Sequence, residues 1–254
     1  MTSAVSEPPP NTPPSWQHCR HDATPADPVG CRGIHVTGHT ACLAHLADTD
    51  RNAYLNALTP GADIDHRGTP FTEDLLRQLL TALHDPTTSQ AHIGNARFDG
   101  ATFTGDARFD RATFTGDARF DRVTFTGDVW FGGAAFTSDA VFGGASFNAN
   151  SRFNGATFTS DAQFDEATFT GDTRFHGVTF TGDARFDRVT FTGDAWFDGV
   201  TFHGDVWFDE VTFTGDARFD RAAFHGDVWF DEVTFTGDAR FDRAAFHGDV
   251  WFDE

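Results

Sequence analysis

Residues 211–232 read VTFTGDARFDRAAFHGDVWFDE, and residues 233–254 repeat the same 22 residues without a change. Inside this unit Phe stands at 213, 219, 224 and 230, so steps of six and five residues alternate. The alternation continues backward through every Phe from Phe252 to Phe98, and only Phe71 lies outside it. A small residue sits two places before almost every Phe, as in Ala107 before Phe109, Ala112 before Phe114 and Val123 before Phe125. Small-x-Phe is a period of two, which turns both residues to one side of a short strand. The Asp-Arg and Thr-Gly-Asp segments between the strands are turn formers. Strands this short bury their apolar side only by stacking on equivalents. Sides of five, six, five and six residues close a coil of 22, and Phe98 to Phe252 spans seven such coils. The expectation is an all-β, four-sided solenoid with Phe columns along its axis, roughly 35 Å long at ~4.8 Å per coil. The extra residue of each six-residue side falls at Thr-Gly-Asp, where Gly tolerates positive φ, so a bulged corner is expected there.

Composition agrees with one packing environment used many times. The 254 residues include 30 Phe but one Met, one Tyr and no Lys, whereas an ordinary core mixes apolar shapes to fill irregular space. The 38 acidic residues against 18 Arg leave a net charge of −20. That balance argues against binding nucleic acid or an anionic membrane, both of which need clustered positive charge. No apolar run approaches the ~20 residues of a membrane span. The start, MTSAVSEPPPNTPP, lacks the basic and apolar regions of a secretory signal, so a cytoplasmic location is expected.

The register, held over 29 consecutive Phe units, resembles that of the pentapeptide-repeat family, whose motif A-(D/N)-(L/F)-x-x sets its small and large residues inward. The Phe-rich runs such as ATFTGDARFD look like the actinobacterial branch of that family. The resemblance implies a right-handed quadrilateral β-helix over residues 91–254. Asp and His co-occur, as in His203-Gly204-Asp205, but with no nucleophile or oxyanion hole, and a closed rod packed with Phe has no interior cavity, so a noncatalytic role is expected.

Two further segments precede the repeats. Residues 1–14 are rich in Pro, Ser and Thr and are expected to be a disordered tail. Residues 15–90 are expected to be a mostly helical region, holding all three Cys, that caps the solenoid. Asp48 or Thr49 predicts a helix over about 50–58, and Thr72 a stronger one over 73–84. Ala62-Asp63-Ile64 between them matches the repeat, which places 62–71 on a first coil, with the second helix over the unpaired strand edges.

Two constellations stand out. Cys19, Cys31, Cys42 and His45 supply the donors of a structural Cys3His zinc site, and Cys42-Leu-Ala-His45 has ligand-like spacing. The other reading is three reduced, ordinarily packed thiols. In the solenoid, one outward column modulo 22 runs Arg97, Arg119, Val141, Gln163, Arg185, Trp207, Trp229, Trp251. The same coils carry His203, His225 and His247, and the pairs Asp209-Glu210, Asp231-Glu232 and Asp253-Glu254. Exposed aromatic patches mark interaction sites, although duplication alone also copies a Trp. Asp columns at the corners read as a solvated, partly neutralised surface.

The expected function is a protein-interaction scaffold presenting an acidic, rod-like surface, with an unidentified protein partner and a homodimer through the C-terminal end of the solenoid. Two alternatives accompany it. One is a zinc-binding N-terminal module with a regulatory role. The other follows from the resemblance: some pentapeptide-repeat proteins are acidic rods that mimic duplex DNA and bind DNA gyrase. The repeat segment here has 28 acidic residues and 13 Arg, so the sign of its charge fits, while the Arg columns interrupt it.

Overall fold

The computed structural model describes residues 12–253; the expected tail therefore lies, through residue 11, outside the described residues, as does Glu254. Each Phe unit forms a two- or three-residue strand and a corner, and the strands stack into four sheets, one per side. Face 1 runs from Ile64–Asp65 through Ala96–Arg97 to Val250–Trp251. Face 2 runs from Pro70–Thr72 to Thr234–Phe235, face 3 from Ala107–Arg108 to Ala239–Arg240, and face 4 from the hairpin His84–Asp85/Gln90–Ile93 to Ala245–Phe246. Within these four sheets the pairing is parallel, the hairpin excepted, and beyond the first coil it repeats partners 22 residues apart, as in Val206 with Val228 and Phe213 with Phe235.

The Phe side chains fill the interior. Phe98 to Phe230 are buried throughout, and rings stack along each column, Phe136 on Phe158 at 4.7 Å and 1° between planes. Rings of different columns meet edge to face, Phe120 with Phe131 at 5.6 Å and 84°. Most rings thus take both favoured aromatic geometries at once, as an evenly spaced column allows. In the final coil Phe246 and Phe252 are exposed.

The corners depart from the sequence expectation. Apart from Gly105 at φ 87°, the Gly of Thr-Gly-Asp does not take positive φ. The left-handed residue lies two places after Phe on the five-residue sides instead: Arg111 at 56°, Gly133 at 64°, Glu166 at 60°, Arg188 at 56°. The shorter side must turn more sharply, and one left-handed residue makes that turn. The Thr-Gly-Asp glycines answer a different need, close stacking of backbone on backbone. A Cβ on Gly193 would lie 2.6 Å from the carbonyl carbon and oxygen of Gly171 one coil earlier. The Asp that follows is also structural: the Asp205 N–H donates to Asp183 Oδ1 at 3.0 Å and the Asp227 N–H to Asp205 Oδ1 at 2.9 Å. The corner carboxylates therefore cap the next coil's backbone as well as face solvent.

The first coil is enlarged. Ile64 pairs with Ala96 and Phe71 with Phe103, steps of 32 residues where later coils take 22. Helix α2 (Glu73–Ala82) and the face 4 hairpin are the insertion. The Thr72 hydroxyl accepts the Leu75 N–H at 3.2 Å, as its capping position predicts. Helix α2 buries Leu75, Leu76 and Leu79 and packs against Pro70–Thr72 and Ala107–Arg108. Ala107–Arg108 is the first strand of face 3, so the helix covers the edge that a preceding strand would pair. Helix α1 (Asp48–Ala57) lies against α2. From residue 12 to Cys42 the chain is irregular, with one bridge between His18 and Ile34.

Candidate functional site

The irregular N-terminal segment brings its three thiols together by doubling back. The Cys19 N–H donates to Gly33 O, the Arg20 N–H to Cys31 O and the Cys31 N–H to His21 O, a small knuckle that faces Cys19 toward Cys31. A 3-10 turn, Leu43–His45, then carries Cys42 and His45 in. Gly33 is required at the crossing, because a Cβ there would stand 2.6 Å from Cys42 Cβ and 2.7 Å from its Sγ. The donor atoms of Cys19, Cys31, Cys42 and His45 lie within 4.8 Å of one another. Cys31 Sγ to Cys42 Sγ is 3.7 Å, Cys42 Sγ to His45 Nδ1 is 3.3 Å and Cys19 Sγ to His45 Nδ1 is 3.4 Å. Tetrahedral zinc with ordinary bond lengths sets such edges at about 3.8 Å (S···S) and about 3.5 Å (S···N), and these three distances lie close to those values, so the cluster is consistent with a metal site. Cys42 is fully buried and the other three half-buried. The thiols share one hydrogen bond, which holds Cys31 well below the ordinary thiol range, helped by the Gly33 N–H, while Cys42 is raised by its side of the same bond and by burial. The nearby histidines take other tasks. The His21 ring stacks on His45 at 4.0 Å, and His35 Nε2 meets His18 O at 2.8 Å.

The knuckle is docked on the first coil. The Ile34 N–H donates to Arg67 O, Trp16 Nε1 donates to Arg32 O, and the Arg67 guanidinium lies over the Trp16 ring at 4.9 Å. Beneath it His66 occupies an inward position above Phe98 and beside Phe71. Its Nε2 is 3.2 Å from the Tyr54 hydroxyl, and full burial lowers its pKa to about 4.

On face 1 the column read modulo 22 is the observed register: Arg97, Arg119, Val141, Gln163, Arg185, Trp207, Trp229, Trp251. Trp207 and Trp229 stack at 4.9 Å and 2°, Trp229 and Trp251 at 4.7 Å and 8°. The Arg185 guanidinium covers the free face of Trp207 at 5.1 Å. The indoles are half-buried, so their ring edges form the exposed stripe. His203, His225 and His247 make a second, exposed stack at the adjoining corner, at 5.0 and 4.8 Å. Two acidic rails border the stripe, Asp205, Asp227 and Asp249 on the His side and Asp209, Asp231 and Asp253 on the other. Among the described residues no ion pair reaches either rail.

The opposite face holds what sequence reasoning missed. The face 3 column is Arg108, Trp130, Arg152, Arg174, Trp196, Arg218, Arg240. Arg108 and Arg152 sandwich Trp130 at 4.7 and 5.2 Å, and Arg174 and Arg218 sandwich Trp196 at 4.8 and 5.9 Å. Those arginines also reach corner carboxylates, Arg108 to Asp106 at 3.5 Å and Arg152 to Asp128 at 3.5 Å. Counting this column modulo 22 exposes it in the sequence as directly as the face 1 column.

No helix among the described residues is long and apolar enough to cross a membrane. Comparison with curated proteins and with solved structures returned no match. The family model described as pentapeptide repeats (9 copies) matches residues 89–135, 120–168, 164–212 and 208–254. Those four matches run continuously from residue 89 to residue 254, well over half of the chain, and the chain belongs to the pentapeptide-repeat family.

Proposed function

We propose that this chain is a noncatalytic interaction scaffold that presents face 1 of an acidic rod to a protein partner. The observation that carries this reading is the stack of Trp207, Trp229 and Trp251, an aromatic stripe held at fixed spacing on an interior filled with Phe. Rigid, half-exposed indoles lose little side-chain entropy on contact, which is why aromatic residues anchor interfaces. The arginines of face 3, paired with corner carboxylates, favour a scaffold over a uniform duplex mimic. A photoreactive phenylalanine analogue at His225, beside the stripe, should cross-link a discrete protein in cells that make the chain. The same analogue at Thr168 on face 2 should not. Adducts absent at position 225, or equal at both positions, would remove the reading.

The Cys3His geometry supports a second element of this function, a structural zinc ion held by Cys19, Cys31, Cys42 and His45. Its role would be to close the knuckle onto the first coil, a segment with too little apolar core to order itself. Metal analysis of the purified chain should find about one zinc per molecule. Cys42→Ser should lose most of it, and full metal content in that variant would exclude these ligands.

A further inference from the structure

The two Trp-bearing faces differ in where their positive charge comes from. On face 3 every Trp lies between arginines of neighbouring coils, and those guanidiniums also neutralise the corner Asp residues. The last three coils of face 1 keep Trp and Asp but have no arginine in the column after Arg185. The indole faces there are covered by one another and, at Trp207, by Arg185, which leaves an apolar stripe of ring edges between two acidic rails that no ion pair among the described residues reaches. Like-charge crowding is already present along this corner: Asp209 is raised by burial and by Asp231 and Glu210.

We infer that face 1 of the last three coils binds an arginine-rich segment of a partner protein, which supplies in trans the cations that face 3 holds in cis. This inference rests on the scaffold reading and specifies its partner. An arginine side chain matches the surface atom by atom in kind. Its aliphatic stem covers apolar ring edges while the guanidinium reaches outward to a carboxylate, which it meets with two parallel hydrogen bonds. Outer indoles of the stripe are separated by two stacking steps, of 4.9 and 4.7 Å, room for about three residues of extended chain. A second copy of the chain fits poorly, because two such faces would set acidic rail against acidic rail. Nucleic acid and anionic membranes are repelled for the same reason.

The test uses the full chain and two synthetic twelve-residue peptides, one alternating Arg and Leu and the other alternating Glu and Leu, at near-physiological salt. The Arg peptide should shift the Trp emission and bind, weakening as salt is raised, and the Glu peptide should not bind. Trp207→Ser/Trp229→Ser/Trp251→Ser should weaken binding at least about tenfold, which is about 1.4 kcal/mol. Trp130→Ser on face 3 should leave it unchanged. Should the triple variant fold poorly by thermal melting, Asp209→Asn/Asp231→Asn, which alters only half-exposed corner side chains, should weaken binding as well. Equal binding by parent and face 1 variants, equal binding of both peptides, or concentration-dependent dimerisation through the Trp stripe in place of peptide binding would each overturn the inference. Failure here with a persistent cross-link at position 225 rejects the arginine-rich partner and leaves the scaffold reading standing.

Discussion

Single residues carry distinct loads in this rod, and the loads can be separated by substitution. A buried Phe in mid-column, such as Phe164, touches rings above, below and beside it. Phe164→Ala should cost about 3–5 kcal/mol, read from denaturant unfolding, because a stack of fixed period cannot collapse into the cavity. The two kinds of glycine should also separate. Gly199 sits at φ 62° with open space around it, so Gly199→Ala should cost about 1–2 kcal/mol of left-handed strain. Gly193→Ala should cost more, because its methyl meets the backbone of the previous coil. Among titrating groups, burial and the neighbouring charges of Asp165 and Asp209 push Asp187 up to about 7. The folded chain then keeps a proton that the unfolded chain has lost above pH ~4, so this group's effect on stability becomes less favourable as pH rises from about 4 to about 7. Asp187→Asn should therefore melt progressively higher than the parent across that window. His66, lowered to about 4 by burial, acts oppositely: its contribution is lost as pH falls from about 6.5 toward 4. It is common to both proteins and cancels in the difference between them. A parent-to-variant difference independent of pH would refute the Asp187 assignment.

At the scale of elements, the N-terminal end of the rod is closed by a helix and a knuckle in series. Helix α2 was legible because Thr72, an amphipathic EDLLRQLLTA and a following turn agree on one boundary, and its end at Ala82 is shorter than the expected 84 because His84 and Asp85 pair in the hairpin. The knuckle was only half legible. Cys42 and His45 announce themselves by spacing, but Cys19 and Cys31 reach them through backbone hydrogen bonds between segments far apart in sequence, which no local pattern encodes. Zinc should hold this arrangement. Chelator treatment should increase amide exchange over residues 17–46 and the first coil while leaving the later coils protected, and uniform exchange along the rod would reject a local role.

For the whole molecule, stability is a sum over coils with nearest-neighbour terms, and surface design is a matter of phase. Deleting residues 167–188, one coil, should leave a folded rod with every outer column aligned. Deleting residues 167–177 removes one five- and one six-residue side, so the Phe alternation survives and the rod should again fold. Everything downstream is then turned by half a coil, and the Trp stripe moves from the side of Arg97 to the side of Arg108. Spin-label distances between positions 97 and 229 distinguish the outcomes, and failure of the 11-residue deletion to fold would show that corner identity, besides Phe spacing, is needed for closure.

By itself the sequence determined the coil length, the four sides, the inward columns and the outward phase of each residue, because a strict period leaves every residue one possible place relative to its equivalents 22 positions away. It could not assign the corners, where Gly and Asp serve contacts between coils that depend on how closely the backbones stack. Nor could it bring Cys19, Cys31, Cys42 and His45 within bonding distance of one ion, since that convergence arises where an aperiodic segment folds back on itself and docks on the rod. The tertiary structure also decided which tryptophans lie between two arginines of their own chain and which stand between corner carboxylates that no arginine among the described residues reaches. The physical reason is the same in each case: periodic contacts are set by counting, whereas aperiodic contacts and side-chain partnerships are set by packing in three dimensions.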